Sequence, residues 1–129
     1  LHGIRIDASD CPDLVPILSV AAALAKGTTE IIHAERLRLK ECDRLKAMAS
    51  ELTKMGAHIE ERPDGLIIRG VPMLHGAGAD SWNDHRVAMS LAIAATRSDG
   101  PVILTGSESV QKSYPQFWQD YESLGGKIK

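Results

Sequence analysis

The stretch Asp13–His33, DLVPILSVAAALAKGTTEIIH, decides the fold. Its first part reads as a helix running to Lys26, with Leu14, Ile17, Leu18, Ala21, Ala22 and Leu24 on an apolar side. Asp10 or Asp13 is placed to cap this helix, Pro12 suits its first turn, and Gly27 ends it. Thr28–His33 then turns β-branched, which is the composition of a strand. The same order returns in Asp84–Thr105, DHRVAMSLAIAATRSDGPVILT. There a helix spans Asp84–Thr96 on Val87, Met89, Leu91, Ala92 and Ala95, Gly100 closes it, and Pro101–Thr105 is a strand. Helices alternating with strands imply an α/β fold.

Outward from these two stretches the parallel continues. After the first strand comes a basic loop, Glu35–Lys40, then a helix over Glu41–Lys54 with the stripe Leu45, Met48, Ala49, Leu52 and Met55, stopped by Gly56. Ala57–Glu61 and Leu66–Gly70 read as a hairpin around Pro63-Asp64-Gly65, and a looser glycine-containing segment runs from Val71 to Ala79. After the second strand a polar loop ends at Lys112. A helix then spans Tyr114–Leu124, with Ser113 as its candidate cap, and Gly125-Gly126 turns into a strand start at Lys127-Ile128-Lys129. Aligning Gly27 with Gly100, and Met55-Gly56 with Leu124-Gly125, gives an internal repeat over roughly residues 10–62 and 81–129 of a single unit, 1–129. Repeated units stack their helices in parallel and collect helix N-termini at one end. Each N-terminus carries about half a positive charge and unpaired N–H groups. The expected ligand is therefore an anion, phosphorylated or carboxylated.

Composition narrows the function. With 129 residues, 43% of them apolar and only 4% aromatic, the chain has the size of one domain with an aliphatic core. A formal net charge of −2 supplies no global basic field, so no nucleic-acid partner is expected. No apolar run approaches the roughly 20 residues of a membrane helix, so no membrane partner is expected either. Cys11 and Cys42, the only two cysteines, form no CxxC, which points to free thiols and a cytoplasmic location. His2, His33, His58, His75 and His85 show no metal-ligand spacing, and no glycine-rich nucleotide motif is present. No metal and no cofactor are expected. The opening Ile4-Arg5-Ile6 reads as a strand joined in mid-fold, as in a piece of a longer protein.

Several segments combine charge with helix starts. In Arg36–Arg44, alternation puts Arg36, Arg38 and Lys40 on one face of an extended stretch, and Lys40 and Arg44 stand four apart, the spacing of helical neighbours. Such groups bind carboxylate or phosphate; the competing reading is a solvated, charged helix start. Cys42 lies in the same basic setting, which lowers a thiol pKa, but no histidine adjoins it. In Asn83-Asp84-His85-Arg86, Asn83 or Asp84 is the N-cap, and His85 and Arg86 fall in a first turn where the dipole disfavours cations unless an anion shares the place. Lys112 precedes the last helix start. Asp10 and Asp13 frame the first one, where one carboxylate caps and the other is free to act as a general base.

Taken together, Pro12-Asp13, Leu39-Lys40-Glu41-Cys42-Asp43-Arg44-Leu45, Asn83-Asp84-His85-Arg86-Val87-Ala88-Met89 and Lys112-Ser113-Tyr114-Pro115 resemble the 5-enolpyruvylshikimate-3-phosphate synthase family. Gly27-Thr28-Thr29 and Met55-Gly56-Ala57 fit in order and spacing. The resemblance implies part of an α/β enolpyruvyl-transferase lobe built from repeated βαβαββ units, with helix N-termini facing the active-site cleft. It implies transfer of the enolpyruvyl group of phosphoenolpyruvate to the 5-hydroxyl of shikimate 3-phosphate, with release of phosphate and without a cofactor. The remainder of the same enzyme is the implied partner, and the chain alone is expected to be inactive. By the same resemblance Asp13 is the base at the attacking hydroxyl, and Glu41 moves protons at the methylene. Asp13, Arg36 and Lys40 contact shikimate 3-phosphate, although many relatives carry Asn where Arg36 stands. Arg44, Arg86 and Lys112 clamp phosphoenolpyruvate, with Asp84 and His85 in support, and glyphosate is an implied inhibitor of that pocket. The alternatives are the sister family acting on UDP-N-acetylglucosamine, against which the pattern from Lys40-Glu41 to Arg44 argues, and a non-catalytic anion-binding module.

Overall fold

The computed structural model describes residues 1–128. Strand β1 (Arg5–Asp7) runs parallel to β2 (Thr28–Ile32), with Ile6 opposite Ile31. Strand β2 pairs antiparallel with β4 (Gly65–Arg69), and β4 forms a hairpin with β3 (His58–Arg62), closed where Arg62 faces Gly65 across Pro63-Asp64. The sheet order is β1-β2-β4-β3. A second sheet holds only β5 (Gly78–Asp80) and β6 (Ile103–Thr105), again parallel. Parallel neighbours require a crossover, and helices α1 (Val15–Ala23) and α3 (His85–Ala95) supply the two. Helix α2 (Arg44–Lys54) leads into the hairpin, and α4 (Phe117–Ser123) follows the second sheet. Among the described residues no helix is long and apolar enough to cross a membrane.

The stripe on α2 packs as its spacing predicts: Leu45, Met48, Ala49, Leu52 and Met55 are all buried. They join Ile31, Leu66 and Ile68 of the sheet, Val20 and Ala23 of α1, and Val87 and Leu91 of α3 in one aliphatic core. Asp43 caps α2 by accepting the Lys46 amide at 3.1 Å. The end of β4 lies so close to the end of α1 that a Cβ on Gly70 would sit 1.5 Å from the Ala25 carbonyl oxygen, which leaves room for glycine alone. A smaller cluster of Ala88, Ala92, Val110 and Phe117, flanked by Trp118 and Tyr121, attaches α4 to α3.

Five expectations are corrected. Helix α1 starts later than predicted because Pro12–Leu14 forms a 3-10 turn, and neither Asp10 nor Asp13 caps it through its side chain. Pro12 and Pro16 stand on either side of Asp13. The buried face of α1 is Val15, Ser19, Val20, Ala22 and Ala23, while Leu14 and Ile17 are exposed. The helix is apolar nearly all round, so periodicity does not single out one side. Glu35–Leu39 is a 3-10 turn rather than an extended stretch. Its three-residue period buries Leu37 and sends Arg36, Arg38 and Lys40 in different directions. Helix α4 begins only at Phe117, without a side-chain cap from Ser113. Lys127 and Ile128 form no strand, and Lys129, the last residue of that expected strand, lies outside the described residues.

Candidate active site

The site is assembled at the N-terminus of α3. Ser81 follows β5 and donates its hydroxyl to the Gly106 carbonyl at 2.9 Å. Trp82 and Asn83 then take left-handed backbone angles, φ +57° and +53°, which reverse the chain into Asp84. Of the two predicted caps, Asp84 is the one used. Fully buried, it accepts the amides of Arg86 at 2.8 Å and Val87 at 3.2 Å with Oδ1. Its Oδ2 accepts Arg44 Nε at 2.8 Å and the Cys42 thiol at 3.4 Å.

Arg44 is the hub. It opens α2, is 1% exposed, and presents its other nitrogens to Asp13 Oδ1, at 3.2 Å, and to Glu41 Oε2. A buried guanidinium requires such partners, since an unpaired charge removed from water is costly. Asp13, carried by the 3-10 turn before α1, also faces Lys40 Nζ at 3.6 Å and Arg86 Nη2 at 3.8 Å. Glu41 Oε2 lies 3.2 Å from His85 Nε2, and His85 Nδ1 meets the hydroxyl of Ser113. Lys112 donates to the carbonyl of Asn83. Asp13, Lys40, Glu41, Arg44, Asp84, His85, Arg86 and Lys112 are thus brought to one rim by direct contacts or through the adjoining backbone. Arg36 is not among those contacts: it is exposed and donates to the Ser9 carbonyl at 2.6 Å. Two cavities, about 360 Å³ between α3 and α4 and about 400 Å³ beside β2, β3 and β4, include none of the rim residues in their linings.

The electrostatics follow from this packing. Burial alone would raise the Asp84 carboxyl, but the hydrogen bond and charge of Arg44, the Val87 amide and the Cys42 thiol hold it below the usual carboxylate range. Cys42 is corrected in the opposite direction to its predicted shift: burial, then the charge of Asp84, push its thiol up to about 12. Arg38, Lys40 and Arg44, cations near it in the chain, are already engaged by carboxylates, and a thiol raised this far stays protonated near neutral pH. Glu41, Asp84 and His85 offer ligand atoms within 4.8 Å of one another. Arg44 binds both carboxylates, so the group presents a metal ion with a guanidinium rather than free anionic donors. Sequence reading missed Ser113 as the partner of His85, and Glu51 and Trp82 behind the rim. The signal for Glu51 was its place two helical turns after Arg44.

A model of the family described as EPSP synthase (3-phosphoshikimate 1-carboxyvinyltransferase) matches residues 1–121. The chain belongs to the EPSP synthase family. A 3-phosphoshikimate 1-carboxyvinyltransferase of Clostridium novyi is 63% identical over 127 residues, which is 98% of this chain and 29% of that relative. An EPSP synthase structure from Acinetobacter baumannii superimposes on the whole chain with a TM-score of 0.91 at 35% identity, covering 31% of that structure. The enolpyruvyl transferase NikO from Streptomyces tendae, at 24% identity and a TM-score of 0.82, shares the fold. The chain therefore spans about 30% of the length of these EPSP synthase relatives. Its α/β architecture is that of the EPSP synthase and enolpyruvyl-transferase fold.

Proposed function

We propose that this chain forms part of a longer enzyme that transfers the enolpyruvyl group of phosphoenolpyruvate to the 5-hydroxyl of shikimate 3-phosphate, releasing phosphate. The observation that carries the reading is Arg44, buried where Asp13, Glu41 and Asp84 converge, with Lys40, Arg86 and Lys112 around it. Addition requires a base at the attacking hydroxyl and an acid at the methylene carbon. Asp13 takes the hydroxyl proton as the oxygen bonds to C2 of phosphoenolpyruvate, and Glu41, beside His85, gives a proton to C3. In the second half Glu41 takes a proton back from C3 as the C2–O bond to phosphate breaks. The atoms balance without a redox step or a metal. Arg44, Arg86 and Lys112 hold the carboxylate and phosphate of phosphoenolpyruvate, where fixed cations favour the departing anion. Lys40 takes the phosphate of shikimate 3-phosphate. Arg36, held on Ser9, reaches that phosphate only by leaving its present bond.

Asp13 and Glu41 are each more than 40% exposed while touching Arg44, so a ligand's oxygens compete with them for the guanidinium. The remainder of the enzyme supplies the opposing lobe, closure orients the substrates, and the isolated chain is inactive. The enzyme is cytoplasmic, and the two strand-helix-strand-turn-helix runs of this chain are copies of one unit. The test is phosphate release by the full-length polypeptide with both substrates. Arg86→Gln is expected to raise KM for phosphoenolpyruvate about 10–100-fold, the value of one lost charge-assisted contact, with the melting temperature unchanged. Turnover with UDP-N-acetylglucosamine in place of shikimate 3-phosphate would move the assignment to the sister chemistry. No effect of Asp13→Asn or Glu41→Gln on turnover would leave only an anion-binding module.

A further inference from the structure

Among the described residues, Glu51 is the charged group that the proposed chemistry does not use and that the fold nonetheless buries. It lies on α2 at 2% exposure and accepts the Asp80 amide at 2.8 Å, the Trp82 indole N–H at 3.0 Å and Lys54 Nζ at 3.0 Å. Burial opposes its ionisation, yet the indole, the amide and the ammonium together hold the carboxyl below its ordinary value. Arg44 lies two turns earlier on the same helix face and grips Asp84. Helix α2 therefore holds the segment Asp80–Asp84 at both ends. Between the two grips stand Trp82 and Asn83 in the left-handed region, which is sparsely populated by residues with a side chain and rarest for bulky ones. Such a conformation persists only where its surroundings over-determine it. Its consequence is local: the Asn83 carbonyl, set by that reversal, is the acceptor for Lys112, and the next residue caps α3 beneath Arg86.

We propose that Glu51 is a positioning residue, which fixes the left-handed Trp82-Asn83 turn and through it the placement of Lys112 and Arg86 for the phosphoenolpyruvate side of the rim. This rests on the function proposed above only for its kinetic readout. In the full-length enzyme, Glu51→Gln keeps one acceptor for two N–H donors and sets an amide against Lys54. The expected result is a KM for phosphoenolpyruvate raised about tenfold, a KM for shikimate 3-phosphate within about twofold of wild type, and faster amide hydrogen exchange across residues 80–84. Lys54→Gln is the control for a purely structural pair: it removes the same salt bridge, leaves the Asp80 and Trp82 bonds intact, and is expected to leave both KM values unchanged. Should Glu51→Gln fail to fold, Trp82→Phe removes only the indole donor and is expected to shift the same KM about threefold. Unchanged exchange at 80–84 in the variant overturns the proposal, as does a lowered melting temperature with both KM values intact. If the wild-type enzyme does not turn over phosphoenolpyruvate, the functional reading falls, and the exchange measurement still decides Glu51.

Discussion

Arg38 and Arg44 flank the turn into α2, both bind carboxylates, and they do opposite things. Arg38 faces away from the rim. Its nitrogens reach Asp43 at 2.7 Å, Glu61 at 2.9 Å, and the carbonyls of Pro63 and Arg62 at 2.9 and 2.7 Å. Every one of these partners belongs to the α2 cap or to the β3–β4 hairpin. Arg38 fastens the hairpin to the start of the helix. Burial opposes its charge, but Glu61 and Asp43 raise its pKa above the ordinary arginine value. Arg44 is more deeply buried, yet two of its three carboxylates, Asp13 and Glu41, remain half-exposed on separate segments. The distinction is not the strength of the pairs but who can exchange them. Three of Arg38's four partners, two carbonyls and a capping carboxylate, are committed to the backbone, and Glu61 alone is a free side chain; two of Arg44's three carboxylates are half-exposed side chains that can yield to a ligand. Replaceable partners are what set Arg44, the proposed clamp, apart from Arg38.

The contrast can be broken experimentally. Replacing Arg44 by Met in the full-length enzyme has the largest expected effect, because it strands the fully buried Asp84 and removes the proposed clamp. Stability should fall by about 3–5 kcal/mol and turnover by roughly a thousandfold, read by denaturant unfolding and phosphate release. A stable and active Arg44→Met protein would show that the hub is dispensable. Replacing Arg38 by Met should cost about 1–3 kcal/mol of stability while kcat and both KM values stay within about twofold. Loss of turnover in a folded Arg38→Met enzyme would erase the difference between the two residues. The effect with no expected consequence for stability or turnover is read at Cys42, which lies between them. Its thiol, at about 12 instead of 9.0, should alkylate at pH 8 at roughly a thousandth of the rate of the same thiol in urea, in line with its smaller thiolate fraction. Rapid labelling in the folded protein would mean that the cations around it are not consumed by carboxylates.

How much of this was legible in the sequence depended on whether local pattern or distant partners decide each residue. The stripe of α2 was readable because polar residues mark its other side. The buried side of α1 was not, because Leu14, Ile17 and Val20 are equally apolar and only the sheet and α3 choose among them. Alternation over Arg36–Lys40 imitated a strand, and nothing nearby revealed that Leu37 would be buried while Leu39 stands 87% exposed. Asp84 was legible as a cap because an apolar helix follows it directly. Asp13 was misread as a candidate cap because its oxygens are claimed by Lys40 and Arg44, which lie far along the chain. The rim residues as a set were visible through their resemblance to a family. Arg38 and Glu51 had no such guide, since their partners at 61–63 and 80–82 become neighbours only in the folded chain.

The two prolines around Asp13 have a consequence of their own. Pro12 precedes it directly and Pro16 follows within the next turn, so the pyrrolidine rings fix φ on both sides of the proposed base. A carboxyl mounted on chain that is already stiff gives up little disorder when a hydroxyl comes to rest against it. On the proposed reading, its aim toward that hydroxyl's proton is inherited from the main chain before any substrate arrives.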